Sequence, residues 1–420
     1  MVLLAGIYAG TPFNKIEISQ ADLDIVNKSR SNPLRWNGQF SPQLVQVLLR
    51  SYADSRSVIF DPFLGSGTVL LEAGLAGFPA SGTEINPAAV ALAQTYQFIN
   101  VPLNQRRLHL QEISCLLQSE FVQLLPLFQA SEQYQLHEYD FESIKSRLVK
   151  LLLGAANRLR SQLLETLIVL LDFHQPDLSI AKVFSTWKKL KKLVSELPFS
   201  EQTIEVIQAD ARQTPLPNAS IDLVITSPPY INVFNYHQQY RASMEALRWN
   251  LLKVARSEIG SNRKHRGNRF LTVVQFCLDI AQTFNELARI CRSEGRLIFV
   301  VGRESKVRGT AFFNGEIVAE VAHRASGFQL ILKQERVFLN RFGQSIFEDI
   351  LHFSPPDNNL WSGTPLDTAR IVAQDILEAA YLAAPEQAKA DIKLALGNIY
   401  KVKPSPVFKL PKTSKGLKAF

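Results

Sequence analysis

Polar residues that could do chemistry follow a short apolar run near the middle of the chain. Residues 221–225 are mostly apolar and suit a buried strand. The polar pair Thr226 and Ser227, then Pro228, Pro229 and Tyr230, follow at once. The prolines have no N–H, so they end the strand, while their carbonyls remain free acceptors. A hydroxyl, fixed carbonyls and an aromatic ring at a strand end can hold a flat molecule that carries an amine. Read alone, an ordinary Pro-Pro turn accounts for the same residues.

A second chemical site is predicted at a glycine-rich turn. Residues 57–61 form a strand-like run that ends in Asp61, and Gly65 and Gly67 follow before an apolar helix that begins near Thr68. Glycines let the backbone turn sharply and approach a ligand. The free N–H groups at the start of the helix point to that turn. The turn lacks the Lys of a Walker loop and the full dinucleotide-binding pattern.

Two acids at the ends of further short strands extend this pattern. Glu84 ends a short strand and precedes a helix predicted over about 87–98. Such an acid can accept hydrogen bonds from ribose hydroxyls, although a solvent-facing acid at a strand end fits equally well. Asp210 ends a strand predicted from residue 204, and its carboxylate can accept a hydrogen bond from an adenine amine.

The elements around these residues predict an α/β core that is interrupted by helices. A capped helix is predicted over 42–52. Leucine-rich periodic stretches between residues 101 and 202 predict three or more helices, which serve either as a packing or lid unit or as a DNA-reading unit. Residues 328–338 and 346–353 predict an antiparallel pair of closing strands, and one helix is predicted over 368–396.

Charge indicates the class of partner. The chain has 420 residues, 46% of them hydrophobic, and a formal net charge of +8. These values are typical of a globular protein that can meet a polyanion such as nucleic acid. A basic stretch follows Gly260, and phosphate contact is its functional interpretation, with a solvated loop as the alternative. The predicted phosphate-binding residues are Arg263, Lys264, Arg266 and Arg269.

Cysteine usage and hydropathy indicate the cellular setting. Cys115, Cys277 and Cys291 are far apart and form neither a metal pattern nor a disulfide framework, which favours a reducing, cytoplasmic location. The apolar start is short and has no preceding basic residues, so we expect no signal peptide. No apolar run reaches the length of a membrane span. We expect neither a membrane nor a metal ion as a partner.

In chain order, the glycine turn, Glu84, Asp210 and the loop 227–230 resemble the S-adenosylmethionine-dependent amino-methyltransferases of DNA, which act on cytosine N4 or adenine N6. The resemblance covers about residues 35–100 and 203–353. It implies a Rossmann-like class I methyltransferase fold: an α/β fold with a mostly parallel sheet, an antiparallel closing pair and, here, a helical insertion. It also implies S-adenosylmethionine as cofactor and double-stranded DNA as partner, and it leaves open a cognate restriction enzyme.

The resemblance gives each motif residue a role. Glu84 would bind the ribose and Asp210 the adenine amine of the cofactor. Ser227 Oγ and the Pro228 carbonyl would accept the two hydrogens of the target amine, and Tyr230 would stack on a flipped base. The predicted catalytic residues are Ser227, Pro228, Pro229 and Tyr230. The predicted cofactor-binding residues are Phe40, Asp61, Pro62, Phe63, Gly65, Gly67, Thr68, Glu84 and Asp210.

Four segments follow from these assignments. Residues 1–100 hold the cofactor loop of the methyltransferase core, and 101–202 form the helical insertion. Residues 203–355 hold the catalytic and basic loops, and 356–420 form a helical extension with a basic tail. The tail from Lys401 is rich in Lys and Pro and is predicted to be disordered.

The predicted function is site-specific methylation of DNA at an exocyclic amine, with cytosine N4 favoured because Ser227 occupies a position where adenine enzymes more often carry Asp or Asn. Adenine N6 methylation is one alternative. Guanine N2 methylation of RNA is another, although such enzymes usually carry Asp before Pro-Pro-Tyr. A nucleic-acid-binding protein with a degenerate methyltransferase fold is a third. The recognition sequence and the oligomeric state stay open.

Overall fold

The computed structural model of the chain describes residues 6–124, 134–136, 140–173, 178–231, 235–261, 265–340, 342–356 and 364–410. Its strands are β1 (Ile59–Asp61), β2 (Ala80–Thr83), β3 (Val122–Leu124), β4 (Tyr134–Leu136), β5 (Ile204–Ile207), β6 (Ile221–Thr226), β7 (Cys291–Gly302), β8 (Glu304–Val307), β9 (Thr310–Phe313), β10 (Gln329–Leu339) and β11 (Ser345–Ser354). Two short pairs, β3 with β4 and β8 with β9, lie outside the main sheet.

The main sheet has seven strands in the order β10-β11-β7-β6-β1-β2-β5. Neighbouring strands from β7 to β5 are parallel, whereas β11 is antiparallel to both β7 and β10. The predicted fold class, a mostly parallel Rossmann-like sheet closed by an antiparallel pair, is therefore confirmed. Chain order reverses between β1 and β6, and α/β sheets bind ligands beyond the carboxyl ends of the strands at such a point.

Helices cover both faces of this sheet. They are α1 (Ile7–Gly10), α2 (Gln20–Asp24), α3 (Pro42–Tyr52), α4 (Thr68–Ala76), α5 (Pro87–Gln94), α6 (Leu103–Phe121), α7 (Phe141–Leu153), α8 (Arg158–Leu171), α9 (Ile180–Glu196), α10 (Arg241–Ala246), α11 (Leu251–Ser257), α12 (Leu271–Ile290), α13 (Asn314–Ser326), α14 (Pro365–Ala383) and α15 (Glu386–Leu396). The helix predicted over 42–52 is confirmed as α3, with Pro42 in its first turn.

Alternating side chains of the central strands enter two different cores. In β7, Phe299 and Val301 join the core that contains α12, α13 and α14. Ile298 and Val300 join the opposite core, which contains α3. All four side chains are buried, as expected for a parallel sheet covered on both faces. This rigid double-sided packing fixes the loops that follow β1 and β6.

The helices α6 to α9 form a third core together with α5 and α10. Thr166 of α8 donates to the Ala91 carbonyl of α5 at 2.8 Å, which ties the inserted helices to the nucleotide-fold core. The buried Arg106 guanidinium donates to the carbonyls of Val101 and Val194, among others. These contacts agree with a packing role for this segment, and the division of the chain into four segments stays a prediction.

The C-terminal part differs from its prediction in two ways. The single helix predicted over 368–396 is wrong, because Pro385 has no N–H and the chain breaks there into α14 and α15. The predicted disorder from Lys401 is wrong for the described residues up to 410. Ser405 donates through its backbone N–H to Asp279 Oδ1 at 2.7 Å and is 3% exposed. Hydrogen bonds to the core hold this segment, which we call the C-terminal strap (402–410).

Across the described ranges, no helix of the chain combines the length and the apolar character needed to cross a bilayer.

Candidate active site

A hydrogen bond joins the ends of the two central strands. Thr226, the last residue of β6, donates through Oγ1 to Asp61 Oδ1 of β1 at 2.6 Å. The same carboxylate oxygen accepts from the Phe63 N–H at 3.0 Å, which bends the chain after β1. Burial raises the pKa of Asp61 to about 7. Asp61 therefore links the glycine turn to the loop that begins with Ser227.

Glu84 folds the glycine turn back onto the end of β2. Its Oε2 accepts from the Gly65 N–H at 3.0 Å, and its Oε1 accepts from the Asn86 N–H at 2.8 Å. Burial raises the pKa of Glu84 to about 7. Gly65 has φ of +53°, and a Cβ there would lie 3.0 Å from Cδ1 of Trp36. The turn thus requires glycine at this position for both backbone conformation and space.

One cavity brings together most of the predicted site residues. It is lined by loop 61–66 and Thr68, by 83–86 at the end of β2, by 209–211, and by Ser227 and Pro229. Segments 36–40 and 257–259, with Tyr236, form the remaining walls. Of the predicted residues, the lining includes Phe40, Asp61, Pro62, Phe63, Gly65, Thr68, Glu84, Asp210, Ser227 and Pro229.

Three of the predicted catalytic and cofactor-binding residues do not line this cavity. Gly67 begins α4 with φ of +89°, and a Cβ there would lie 3.0 Å from the Ala93 backbone, so it serves close helix packing. Pro228 is buried. Tyr230 lies with its ring against Gly302, and its hydroxyl is 3.0 Å from Ser227 Oγ. Tyr230 therefore orients the Ser227 hydroxyl from behind the cavity wall.

Asp210 reaches the cavity with its acceptor sites filled. Oδ1 accepts from the Arg212 N–H at 3.0 Å and from Arg212 Nε at 2.8 Å. Oδ2 accepts from Arg212 Nη2 and from the Phe408 N–H of the strap, both at 2.7 Å. A carboxylate offers about four lone-pair sites. The contact of Asp210 with an adenine amine stays a prediction, and it requires one of these donors to move.

Aromatic walls were missed by the sequence analysis. The rings of Trp36 and Tyr236 are stacked with centroids 6.2 Å apart and an interplanar angle of 11°, and both line the cavity. Glu258 also lines it and accepts from the His237 N–H at 2.7 Å. The aromatic residues after Tyr230 were a signal for this wall, whereas Trp36 comes from a segment 200 positions earlier. Only the folded chain joins them.

A family model described as DNA methylase matches residues 14–95, which contain the glycine turn and Glu84. The type II methyltransferase M.MjaII of Methanocaldococcus jannaschii is 36% identical over 59 residues, 14% of this chain and 11% of that protein. The type II methyltransferase M.BsoBI of Geobacillus stearothermophilus is 38% identical over 74 residues, 17% of this chain and 14% of that protein. The resemblance to the DNA amino-methyltransferases is confirmed. The chain spans far less than two thirds of either relative.

Solved structures resemble the chain more loosely. A SAM-dependent methyltransferase of Methanosarcina mazei is 12% identical with a TM-score of 0.33, covering 74% of this chain and 97% of its own. An rRNA methyltransferase of Streptomyces viridochromogenes is 13% identical with a TM-score of 0.29, covering 80% of this chain and 92% of its own. These scores are too low to support an argument, so the fold class rests on the sheet itself.

The cavity residues fit S-adenosylmethionine, the cofactor of the DNA amino-methyltransferases. The match to the DNA methylase family model supports this cofactor. Each Glu84 oxygen accepts one backbone N–H and keeps a lone pair for a ribose hydroxyl. The carboxylates of Asp61 and Glu84 and the rings of Trp36 and Tyr236 suit a sulfonium cation. Within the described part of the chain, no group of three His, Cys, Asp or Glu side chains is placed to hold a metal ion.

Of the predicted phosphate-binding residues, Arg266 and Arg269 do not line the cavity. Arg266 and Arg269 are exposed and form no ion pair with the residues that the structure describes. Asn268 between them donates to the Asp391 carbonyl of α15 at 2.7 Å, which fixes the end of this loop. Arg263 and Lys264 lie outside the described residues. Contact of these four cations with DNA stays a prediction.

A buried ion network beneath Asp210 supplies a stability prediction. Arg212 bridges Asp210 and Asp279 at 2.7 and 2.9 Å, and all three side chains are at most 2% exposed. We expect Arg212→Met to lower the free energy of unfolding by about 3–5 kcal/mol, because two buried carboxylates lose their partner. Urea denaturation measures this. The control is Arg241→Met, which removes an exposed pair with Glu245 and should cost less than about 0.5 kcal/mol. A loss below about 1 kcal/mol for Arg212→Met would contradict the account.

Proposed function

We propose that the chain transfers a methyl group from S-adenosylmethionine to the exocyclic amine of a base in double-stranded DNA, and that the base is cytosine, methylated at N4. The observation that carries this proposal is the single cavity lined by both Glu84 and Ser227. The first residue suits a nucleoside cofactor and the second suits an amine. Neither the glycine turn nor the Ser-Pro-Pro-Tyr loop alone would support both a nucleoside cofactor and a target amine.

The chain's own residues suit the chemistry of an exocyclic amine. Such an amine is a weak nucleophile because its lone pair is delocalised into the ring. Ser227 Oγ and the Pro228 carbonyl accept the two amine hydrogens, which concentrates electron density on nitrogen. Tyr230, 3.0 Å from Ser227 Oγ through its hydroxyl, fixes the direction of that hydroxyl. When bound, S-adenosylmethionine supplies an electrophilic methyl group on its sulfonium.

The base must leave the duplex to reach Ser227, which lies in the wall of a cavity. We propose that Pro229 and the aromatic wall of Trp36 and Tyr236 help to exclude water and to hold flat rings in this region. Stacking of Tyr230 on the base is part of the proposal, as in the resemblance. It requires the Tyr230 ring to leave its contact with Gly302.

The biological setting is part of the same proposal. The curated relatives are named type II methyltransferases, so we propose that the chain serves a restriction-modification system. Its described cysteines, Cys115, Cys277 and Cys291, form no disulfide, which agrees with action in the cytoplasm.

Product analysis tests the proposal. The purified protein is incubated with tritium-labelled S-adenosylmethionine and either genomic DNA or tRNA, and the nucleic acid is digested to nucleosides. We expect label in N4-methylcytosine from DNA. Label in N6-methyladenine would change the base, and label only in N2-methylguanine from tRNA would refute DNA as substrate. Absence of both label and cofactor binding by calorimetry would indicate a degenerate fold.

A further inference from the structure

A second cavity meets the candidate active site at Ser227. It has a volume of about 1000 Å³ and shares Ser227 and residues 38–40 with the first cavity. Its other walls come from the N-terminal segment and from β10 and β11, including Arg336 and Glu348. Ser227 is thus reached from two sides. The first side holds Glu84, so the second side is the one left for a target base.

Arg336 is a preorganised cation in this second cavity. Its Nη1 donates to Glu348 Oε2 at 3.0 Å, and the two side chains are 9% and 17% exposed. Its guanidinium lies 4.5 Å from the centroid of the Phe338 ring. Arg336 Nε is buried and has no hydrogen-bond partner among the described residues. An unsatisfied buried donor is costly, so an acceptor brought by a ligand would be favoured here.

The strand register places this pair beside the catalytic loop. Arg336 pairs with Glu348 across β10 and β11, and Glu348 pairs with Gly302 of β7. Gly302 is the residue against which the Tyr230 ring lies. Burial and the nearby Glu348 carboxylate raise the pKa of Tyr230. Arg336, Glu348 and Ser227 line the same cavity. Arg336 and Ser227 therefore face the same space.

We propose that Arg336, held in place by Glu348, reads the target base by donating hydrogen bonds to O2 and N3 of cytosine while Ser227 holds the N4 amine. This inference rests on the proposed function and names the determinant of its base specificity. Cytosine presents its amine, N3 and O2 side by side, so two adjacent acceptors face the planar guanidinium fork. Adenine presents N1 and then a C2–H group, and one donor of the fork would lose its partner.

Positive charge at the rim of the second cavity agrees with entry of the target base from this side. Lys28 and Arg35 line the cavity and are exposed. Cations at its mouth suit the phosphates that flank an extruded base. The loop after Gly260 is predicted to contact phosphates, and this cavity adds a second basic surface from the N-terminal segment.

The test uses the full chain and a duplex that carries its mapped recognition site, with either cytosine or 3-deazacytosine at the target position. The analogue lacks the N3 acceptor. Single-turnover rates are measured for the unaltered protein, for Arg336→Lys and for Glu348→Gln. Arg303→Lys is the matched control, because Arg303 is a partly buried arginine in the bend after β7, paired with Glu335 of β10 and Asp349 of β11, that does not line the cavity.

We expect the analogue to slow the unaltered protein by about 10- to 100-fold more than it slows Arg336→Lys, because only the fork uses the N3 acceptor. Arg336→Lys should lose about 10- to 100-fold in rate with cytosine, and Glu348→Gln should lose less. Arg303→Lys should respond to the analogue as the unaltered protein does. Cofactor affinity by calorimetry and the unfolding midpoint should stay close to those of the unaltered protein for Arg336→Lys, which shows that the variant is folded.

An equal penalty from the analogue in the unaltered protein and in Arg336→Lys, with cytosine as the methylated base, would overturn the inference alone. Failure of the proposed function looks different, because the unaltered protein would then methylate adenine or no DNA base at all, and either result would overturn the inference as well.

Discussion

Ser227→Ala is expected to lower kcat for DNA methylation by about 10²- to 10³-fold, the size of effect seen when one preorganised hydrogen-bonding group is removed from a reacting centre. The substitution removes the oxygen that we propose accepts an amine hydrogen, and it leaves the cavity wall otherwise intact. Because Ser227 makes no hydrogen bond with Glu84 or the glycine turn in the described part of the chain, cofactor affinity should change by less than about threefold. The measurement is single-turnover transfer of labelled methyl to DNA, combined with calorimetry of cofactor binding.

Two further variants serve as comparisons for Ser227→Ala. Tyr230→Phe removes the hydroxyl 3.0 Å from Ser227 Oγ and should give a smaller loss, since the serine oxygen remains. Ser220→Ala lies just before the other end of the same strand, where Ser220 Oγ donates to the Pro217 carbonyl, and it should leave the rate unchanged. Full activity of both Ser227→Ala and Tyr230→Ala would show that the roles assigned to this loop are wrong.

Cofactor binding is expected to weaken by about 10- to 100-fold in Glu84→Gln, because hydrogen bonds to a charged group usually contribute this much to affinity. Glu84 is the acid that joins the glycine turn to the end of β2. Glutamine keeps the size of the side chain and removes the charge. Calorimetric titration with S-adenosylmethionine measures the effect. The matched control is Glu205→Gln on β5, an exposed acid of the neighbouring strand that lies outside the cavity.

The same binding should depend on pH. Burial raises the pKa of Glu84 and of Asp61 to about 7, and a ribose hydroxyl or a sulfonium favours the ionised carboxylates. Binding therefore releases protons below pH 7, and the affinity falls as pH decreases, by up to about tenfold per carboxyl group for each pH unit. Above about pH 8 the affinity should be constant. In Glu84→Gln only the Asp61 carboxyl group still titrates, so the cofactor affinity should depend less steeply on pH. A flat profile between pH 5.5 and 8 would contradict both the raised pKa values and the placement of the cofactor.

The position of the first cavity was predictable because Asp61, Glu84 and Ser227 lie at strand ends. Asp61 is the last residue of β1, Ser227 follows β6, and Glu84 follows β2. Parallel strands bring their carboxyl ends to one edge of the sheet, so local patterns in the chain were enough to place these residues together. The antiparallel closing pair was also predictable from a local pattern, because two apolar runs flank a short turn.

The remaining features depend on contacts between distant segments, which local patterns do not contain. Phe408 donates its N–H to Asp210 across 198 positions, although its surroundings are rich in Lys and Pro and predict disorder. Trp36 stacks on Tyr236 in the same way. Arg336 lies on an edge strand, and only the folded chain pairs it with Glu348 and places it in the cavity that Ser227 also lines. Tertiary packing alone gives these residues their surroundings.

The most direct test of the central claim is the mapping of modified bases in DNA from cells that express the chain, compared with cells that express Ser227→Ala at the same level. The account predicts N4-methylcytosine at one short sequence in the first DNA and its loss in the second. Identical DNA from both, with no methylated exocyclic amine above the background of the host, would contradict it.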